Sequence, residues 1–260
     1  MSDGRLIEDH KVERRRVPLN APRWVRRHLA PYLAGGMRVL DVGCGAATTA
    51  VEVARRFPES EIVALDEVGA PLSSARRNLR VHPNASVIAA DVRALPFDDE
   101  SFDLVYSRFL LGRVPGKRRA ALEFARVCRP GGTVVLQDID GQFVNHYPLD
   151  PELQRDLAAA VALLAPTGVD PYVGRRLWGL LRQAGLCGGG LEIEPHEAVA
   201  GSVRPEVRAQ WEASLENAVE LLDRLRFENA HGLAERMLEY LDRDDTITFS
   251  LLFTASAHKV

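Results

Sequence analysis

Cysteine is scarce in this chain of 260 residues. Cys44, Cys128 and Cys187 stand far apart, with no C-x-x-C pair. That spacing excludes a small disulfide-stapled fold and the common zinc motifs, and it fits a reducing, cytoplasmic compartment. Lysine is equally sparse: only Lys11, Lys117 and Lys259 stand among 33 basic residues, the rest being arginine. The formal net charge is −3, so no overall basic footprint suggests nucleic acid as a partner. No apolar run reaches the roughly 18 residues needed to span a bilayer. The opening segment MSDGRLIEDHKVERRR has no apolar core of the kind a secretion signal carries. Internal repeats and low-complexity tracts are also missing. What the chain does have is 46% hydrophobic residues, enough for a sizeable core, and a length suited to one large α/β domain with an insertion.

One glycine is missing from an otherwise familiar turn. The run Met37-Arg-Val-Leu-Asp-Val-Gly-Cys-Gly-Ala46 predicts a short apolar strand, a Gly-x-Gly turn, and a helix of small residues. Gly43 and Gly45 clear the space that Cβ atoms would fill, so a ligand can approach the backbone, and the helix offers its N-terminal amides. A dinucleotide site asks for G-x-G-x-x-G, but Thr48 holds the third position. Asp41, two residues before the first glycine, would repel a pyrophosphate and attract an α-ammonium group.

Further acids fall at matching intervals. The predicted second strand, Glu61 to Asp66, ends in a carboxylate about 20 residues past the glycines, where such folds hold a ribose diol. The third, Ser86 to Asp91, again ends in an acid. The fourth runs through Phe102-Asp-Leu-Val-Tyr-Ser-Arg-Phe109, and Arg129-Pro-Gly-Gly-Thr-Val-Val-Leu136 supplies a turn and a fifth. With the segments VLDVGCGAA, IVALDEV, ADVRALPF, FDLVYSRFLL and CRPGGTVVLQD in order over residues 37–140, the chain resembles the class I S-adenosylmethionine-dependent methyltransferases, and most of all their quinone and natural-product branch.

The resemblance implies an α/β fold: a Rossmann-like, mostly parallel sheet of seven strands with helices on both faces. Its last strand, here Thr246 to Ala255, would return antiparallel between strands five and six. One domain would span residues 1–260: an N-terminal segment and helix to 35, a cofactor-binding core over 36–140, and a substrate-side half over 141–260. A helical insertion at about 203–243 would roof the site. Strand alternation independently predicts a parallel sheet with right-handed crossovers and ligands at the carboxyl ends of the strands.

S-adenosylmethionine is the implied cofactor. Asp41 would meet its amino group, Gly43 and Gly45 would line its approach, and Asp66 would take the ribose hydroxyls. Glu67, Asp91, Val92 and Ser107 complete the expected cofactor set. Glu67 stands where relatives often place an apolar residue against adenine, so Val68 or Leu95 could supply that surface. Asp91 could equally cap the turn over Val92–Ala94. The substrate would be a small molecule bound by Arg108 and Tyr147, with neither nucleic acid nor membrane as partner, and a homodimer is compatible. The histidine that often follows strand four is replaced by Arg113. His146, in the loop after strand five, is then the candidate general base for O-methylation in secondary metabolism. Asp138 and Asp140 at the end of strand five lack an evident third metal ligand, so a metal-free site is expected. Two other functions share these residues: a cyclase, rearrangement or decarboxylation enzyme that keeps the cofactor as a structural element, and a catalytically silent cofactor-binding partner.

Overall fold

Alternation of apolar residues along the central strands decides the architecture. A computed structural model describes residues 21–141 and 143–260. In β1 (Arg38–Val42), Val39 packs to one side of the sheet and Leu40 and Val42 to the other. The same division runs through β2 (Glu61–Asp66), β4 (Phe102–Arg108) and β5 (Cys128–Asp140). Both faces are therefore apolar, as a sheet covered by helices on each side requires. With β3 (Ala85–Ala89), these strands pair in parallel in the order β3-β2-β1-β4-β5.

One face is covered by α1 (Thr48–Arg56), α2 (Ala70–Leu79) and a helical N-terminal segment that carries Trp24, Val25 and Leu29. That segment passes through a π-helical turn (Val25–Leu29) and a 3-10 turn (Ala30–Tyr32). The other face is covered by α3 (Lys117–Val127) and α5 (Leu177–Gln183). The long β8 (Ile247–His258) returns antiparallel along β5, and β7 (Cys187–Ala200) pairs antiparallel with its far edge. The last strand thus lies between the fifth and the sixth major strands, as expected. A two-residue bridge, β6 (His146–Tyr147), pairs with the start of β8 and makes an eight-stranded sheet where seven strands were expected. The sixth major strand begins at Cys187.

A third core lies outside the sheet. The helices α4 (Pro151–Leu164), α6 (Pro205–Arg224) and α7 (Ala230–Leu241) pack on one another through Leu153, Leu164, Trp211, Leu222, Leu233 and Met237. Asn229 ends the break between α6 and α7, and its side chain accepts a hydrogen bond from the Gly232 N–H. The part of the expected N-terminal segment before residue 21 lies outside the described residues.

Candidate cofactor and substrate site

The turn after β1 is held from β2. Leu65 carbonyl accepts from the N–H groups of Gly43 (2.8 Å) and Cys44 (2.9 Å). Asp66 closes the same turn: its Oδ2 accepts from the Gly45 N–H at 2.6 Å, and its Oδ1 from the Glu67 N–H at 2.8 Å. Gly43 has φ +74°, and a Cβ there would come within 2.8 Å of the Leu110 side chain. Ala47 takes φ 59° to start α1, a conformation that costs a non-glycine residue free energy and that clusters at ligand sites. Burial raises the Asp66 carboxyl above the usual range, opposed by the Gly45 and Glu67 N–H groups. A carboxylate has about four acceptor positions; two are occupied by backbone, which leaves lone pairs for a diol.

Asp41 is the least satisfied group of the sheet. It is 3% exposed, and its Oδ2 has no hydrogen-bond partner among the described residues. Burial pushes its carboxyl up to about 7. Tyr106, its register partner on β4, is fully buried; its hydroxyl makes no hydrogen bond of good geometry but interacts with the Asp41 carboxyl and opposes the effect of burial there, and the Trp24 indole N–H is unpartnered. Trp24 and Tyr106 rings lie 5.7 Å apart. Arg108 completes the group. Its guanidinium stacks over Trp24 at 4.5 Å and over Phe109 at 4.8 Å, donates to Gln137 Oε1 at 2.9 Å and to Thr49 Oγ1 at 3.3 Å, and loses basicity to about 10 through burial. Buried polar groups are nearly always hydrogen-bonded, so an incompletely bonded anion beside a buried cation and two donors suits a zwitterionic ligand. The sequence placed Arg108 at the substrate; the strand alternation that puts it on the Trp24 face brings it beside Asp41 instead.

The remaining expected contacts are less uniform. Ser107 is buried with an unpartnered Oγ. Glu67 is half-buried, and burial followed by Asp91 and Asp66 raises its carboxyl. Asp91 lies beyond the end of β3, accepts from the Arg93 N–H at 2.8 Å and pairs with the Arg93 guanidinium at 2.8 Å, so it caps the turn. Val92 and Leu95 are core residues, whereas Val68 is 86% exposed.

A cavity of about 270 Å³ opens between the carboxyl ends of β4 and β5 and the roof helices. Leu157, Val161, Leu215, Leu222, Leu233 and Met237 make most of its wall apolar. Phe109, Gly112, Arg113 and Asp138 form its floor. Since Leu110 rests against Gly43, this short segment separates the cavity from the glycine turn. Phe109 holds φ 55° there. Asp138 accepts from the Gly112 N–H (3.0 Å) and the Ile139 N–H (2.9 Å), and burial pushes its carboxyl up to about 6. Arg113 acts electrostatically on both Asp66 and Asp138. Asp140, by contrast, is bound by Arg175, and among the described residues no group of three His, Cys, Asp or Glu side chains is placed to hold a metal.

His146 and Tyr147 do not line this cavity. The His146 imidazole packs against Trp211 (5.5 Å) and Tyr240 (5.2 Å) with Nδ1 2.9 Å from Thr248 Oγ1, and burial lowers it to about 4. Tyr147, next to it on β6, is 71% exposed. Pairing of β6 with β8 turns both residues into the roof and the outer surface, which corrects the expected catalytic and substrate-binding roles. His196, on β7, does line the cavity. Trp24, Tyr106, Asp138 and Arg113 are the site residues that sequence spacing did not assign. The signal available for Arg113 was its replacement of the histidine common after strand four.

The profile of a methyltransferase domain matches residues 39–132. Methyltransferase str3 of Strobilurus tenacellus is 28% identical over 160 residues, 60% of this chain and 55% of the relative. A phosphatidylethanolamine N-methyltransferase of Cereibacter sphaeroides is 35% identical over 125 residues, 48% and 58% respectively. The chain thus spans a little over half the length of these curated relatives. In fold it is similar to Haemonchus contortus phosphoethanolamine N-methyltransferase 2 in complex with S-adenosyl-L-methionine, with a TM-score of 0.57 at 17% identity over 92% of this chain and 52% of that one. The matched segment contains Asp41, the glycine turn, Asp66 and β4, and over it the chain is similar to methyltransferase domains.

Proposed function

We propose that the protein transfers a methyl group from S-adenosylmethionine to a hydroxyl oxygen of a small organic molecule in secondary metabolism. The observation that carries this reading is the buried Asp41 carboxylate, incompletely hydrogen-bonded at Oδ2, beside the Gly43–Gly45 turn. Asp41 would bind the ammonium and Arg108 the carboxylate of the methionine moiety. Asp66 would hold the ribose hydroxyls, with Glu67, Ser107 and the Asp91–Val92 turn closing the nucleoside side. When bound, the cofactor supplies a methyl group on a sulfonium, which an incoming nucleophile displaces in line. The chain contributes position and exclusion of water: segment 109–113 forms the wall between the two ligands, and the roof encloses the acceptor. The apolar cavity suits a free small molecule, and no helix among the described residues is long and apolar enough to cross a membrane.

Calorimetric titration with S-adenosylhomocysteine tests the cofactor site. Asp66→Ala should weaken binding about 10- to 100-fold, the scale of hydrogen bonds to a charged group. Tight NAD binding with no response to S-adenosylhomocysteine would overturn the reading. Conversion of a substrate without formation of S-adenosylhomocysteine would instead favour a cyclase or rearrangement on the same scaffold.

A further inference from the structure

Three carboxylates lie near the cavity, and two are neutralised. Asp140 accepts from the Arg175 guanidinium at 2.6 Å and from its N–H at 2.9 Å. Asp170 pairs with Arg176 at 2.9 Å, with Lys117 at 4.0 Å. Asp138 differs. Among the described residues no cation comes within ion-pair distance of it, and its carboxylate is fixed by backbone: the N–H groups of Gly112 and Ile139, with that of Leu111 also acting on it. It is 6% exposed and faces a cavity walled mostly by apolar side chains, with Arg113, Asp170, His196, Ser214 and Asn217 as the other polar lining. An uncompensated carboxylate in such a place is costly unless a ligand group meets it.

We infer that the acceptor is a compact apolar molecule bearing an acidic hydroxyl, a phenol or enol, and that Asp138 receives the proton of that hydroxyl while Arg113 faces its oxygen. This rests on the methyl-transfer reading above. The volume favours one fused ring system or a short branched chain, since 270 Å³ lies just below the usual range of roughly 300–1,000 Å³ for small-molecule pockets. A hydroxyl fits the two charges better than an amine. Arg113 would repel an ammonium, and a carboxylate would hold an amine in its protonated, unreactive form. In the step itself the hydroxyl oxygen forms the new O–CH₃ bond and the S–CH₃ bond breaks. Sulfur keeps the bonding pair, and the proton passes to the Asp138 carboxylate and then to solvent. Backbone anchoring of both Asp138 oxygens fixes the carboxylate before the acceptor arrives.

Binding alone tests the assignment. 2-Naphthol, whose hydroxyl stays protonated below pH 8, and 2-methoxynaphthalene, which cannot donate, are titrated by fluorescence from pH 5 to 7.5. The groups facing Asp138 are Arg113 from the turn after β4, Lys117 at the start of α3, Asp170 after α4 and His196 on β7. The naphthol should bind about tenfold more tightly at pH 7.5 than at pH 5, following ionisation of Asp138 through about 6, and the ether should not change. Asp138→Asn should abolish the difference, with S-adenosylhomocysteine affinity retained as the folding control. Ala218→Trp should exclude both probes. An identical pH response for the two probes, a step that survives Asp138→Asn, or binding indifferent to Ala218→Trp would overturn the inference. The comparison of naphthol with its ether decides the matter in the unsubstituted protein, even if a variant fails to fold. A naphthol step in a protein that ignores S-adenosylhomocysteine would support the Asp138 site and refute the methyl-transfer reading.

Discussion

At the residue scale, Asp41 is an incompletely satisfied group at the proposed cofactor site. Its carboxyl, pushed up to about 7 by burial, is part-protonated at neutral pH in the free protein. An ammonium placed against it would favour the ionised form. Binding of S-adenosylhomocysteine near pH 6.5 should therefore release a proton, visible as a calorimetric enthalpy that varies with the ionisation heat of the buffer. Asp41→Asn should remove that dependence and weaken binding about tenfold or more. A buffer-independent enthalpy in the unsubstituted protein would mean that Asp41 does not meet the ligand's charge. Asp41, Gly43, Gly45 and Asp66 were legible in the sequence because one strand, one turn and one strand end fix their spacing. Trp24, Tyr106 and Arg108 were not. They reach Asp41 from a separate helical segment and from β4, and only the sheet register, Asp41 against Tyr106, brings them together. Asp138 was visible as an acid at a strand end, but its lack of a cation could be seen only once Asp140 had taken Arg175.

At the scale of elements, the parallel strands were legible because each is an apolar run closed by a polar residue at its carboxyl end. The roof was legible as helices, whose break near Asn229–Gly232 shows in the sequence, but not in what it packs upon. His146 illustrates the difference. Its position after β5 suggested the cleft, yet two residues of strand pairing with β8 carry it into the roof core against Trp211 and Tyr240. Trp211 also meets Phe143 edge-on at 4.7 Å, so it joins the β5–α4 loop to α6. Trp211→Ala should lower stability by about 3–5 kcal/mol, the usual cost of emptying a buried aromatic position. Since the cavity is walled by the same helices, it should also weaken binding of an apolar acceptor. S-adenosylhomocysteine should bind nearly as before at temperatures where the variant is folded, because its expected contacts come from β1, β2, β4 and the N-terminal helical segment. Chemical denaturation and calorimetry measure the two effects separately, and a loss of both affinities in parallel would show that roof and cofactor site form one cooperative unit.

At the scale of the whole molecule, the parallel sheet collects its carboxylates at one end, and the acid groups it buries there set how stability depends on pH. The N-terminal helical segment closes this end and is tied to the far edge of the sheet: Arg23 and Arg27 pair with Glu194 at 3.1 and 2.7 Å, and Arg27 also with Glu192. Such exposed pairs contribute little individually, whereas the buried groups titrate with the fold. Asp41 and Asp138 hold their protons more tightly folded, to about 7 and 6, than unfolded, near 3.9. Their contribution is therefore complete in acid and is lost as pH rises through 6–7. His146 works in the opposite direction: lowered to about 4, it contributes fully above about 6.5 and loses that contribution as pH falls through 4. Burial also lowers His28 and also raises Asp66 and Glu67, so between pH 4.5 and 6 four acids stand against two imidazoles and the folded state holds more protons than the unfolded state. From 6 to 7.5 the two imidazoles offset the remaining contribution of Asp41. The ligand-free protein should thus melt at progressively lower temperature from pH 4.5 to 6, and Asp41→Asn should lessen that decline. Saturating S-adenosylhomocysteine should flatten it too, since its ammonium would stabilise the ionised carboxylate that burial otherwise disfavours. A melting temperature that rises over this interval in the free protein would show that the buried carboxyls near the glycine turn are ionised and compensated without any ligand.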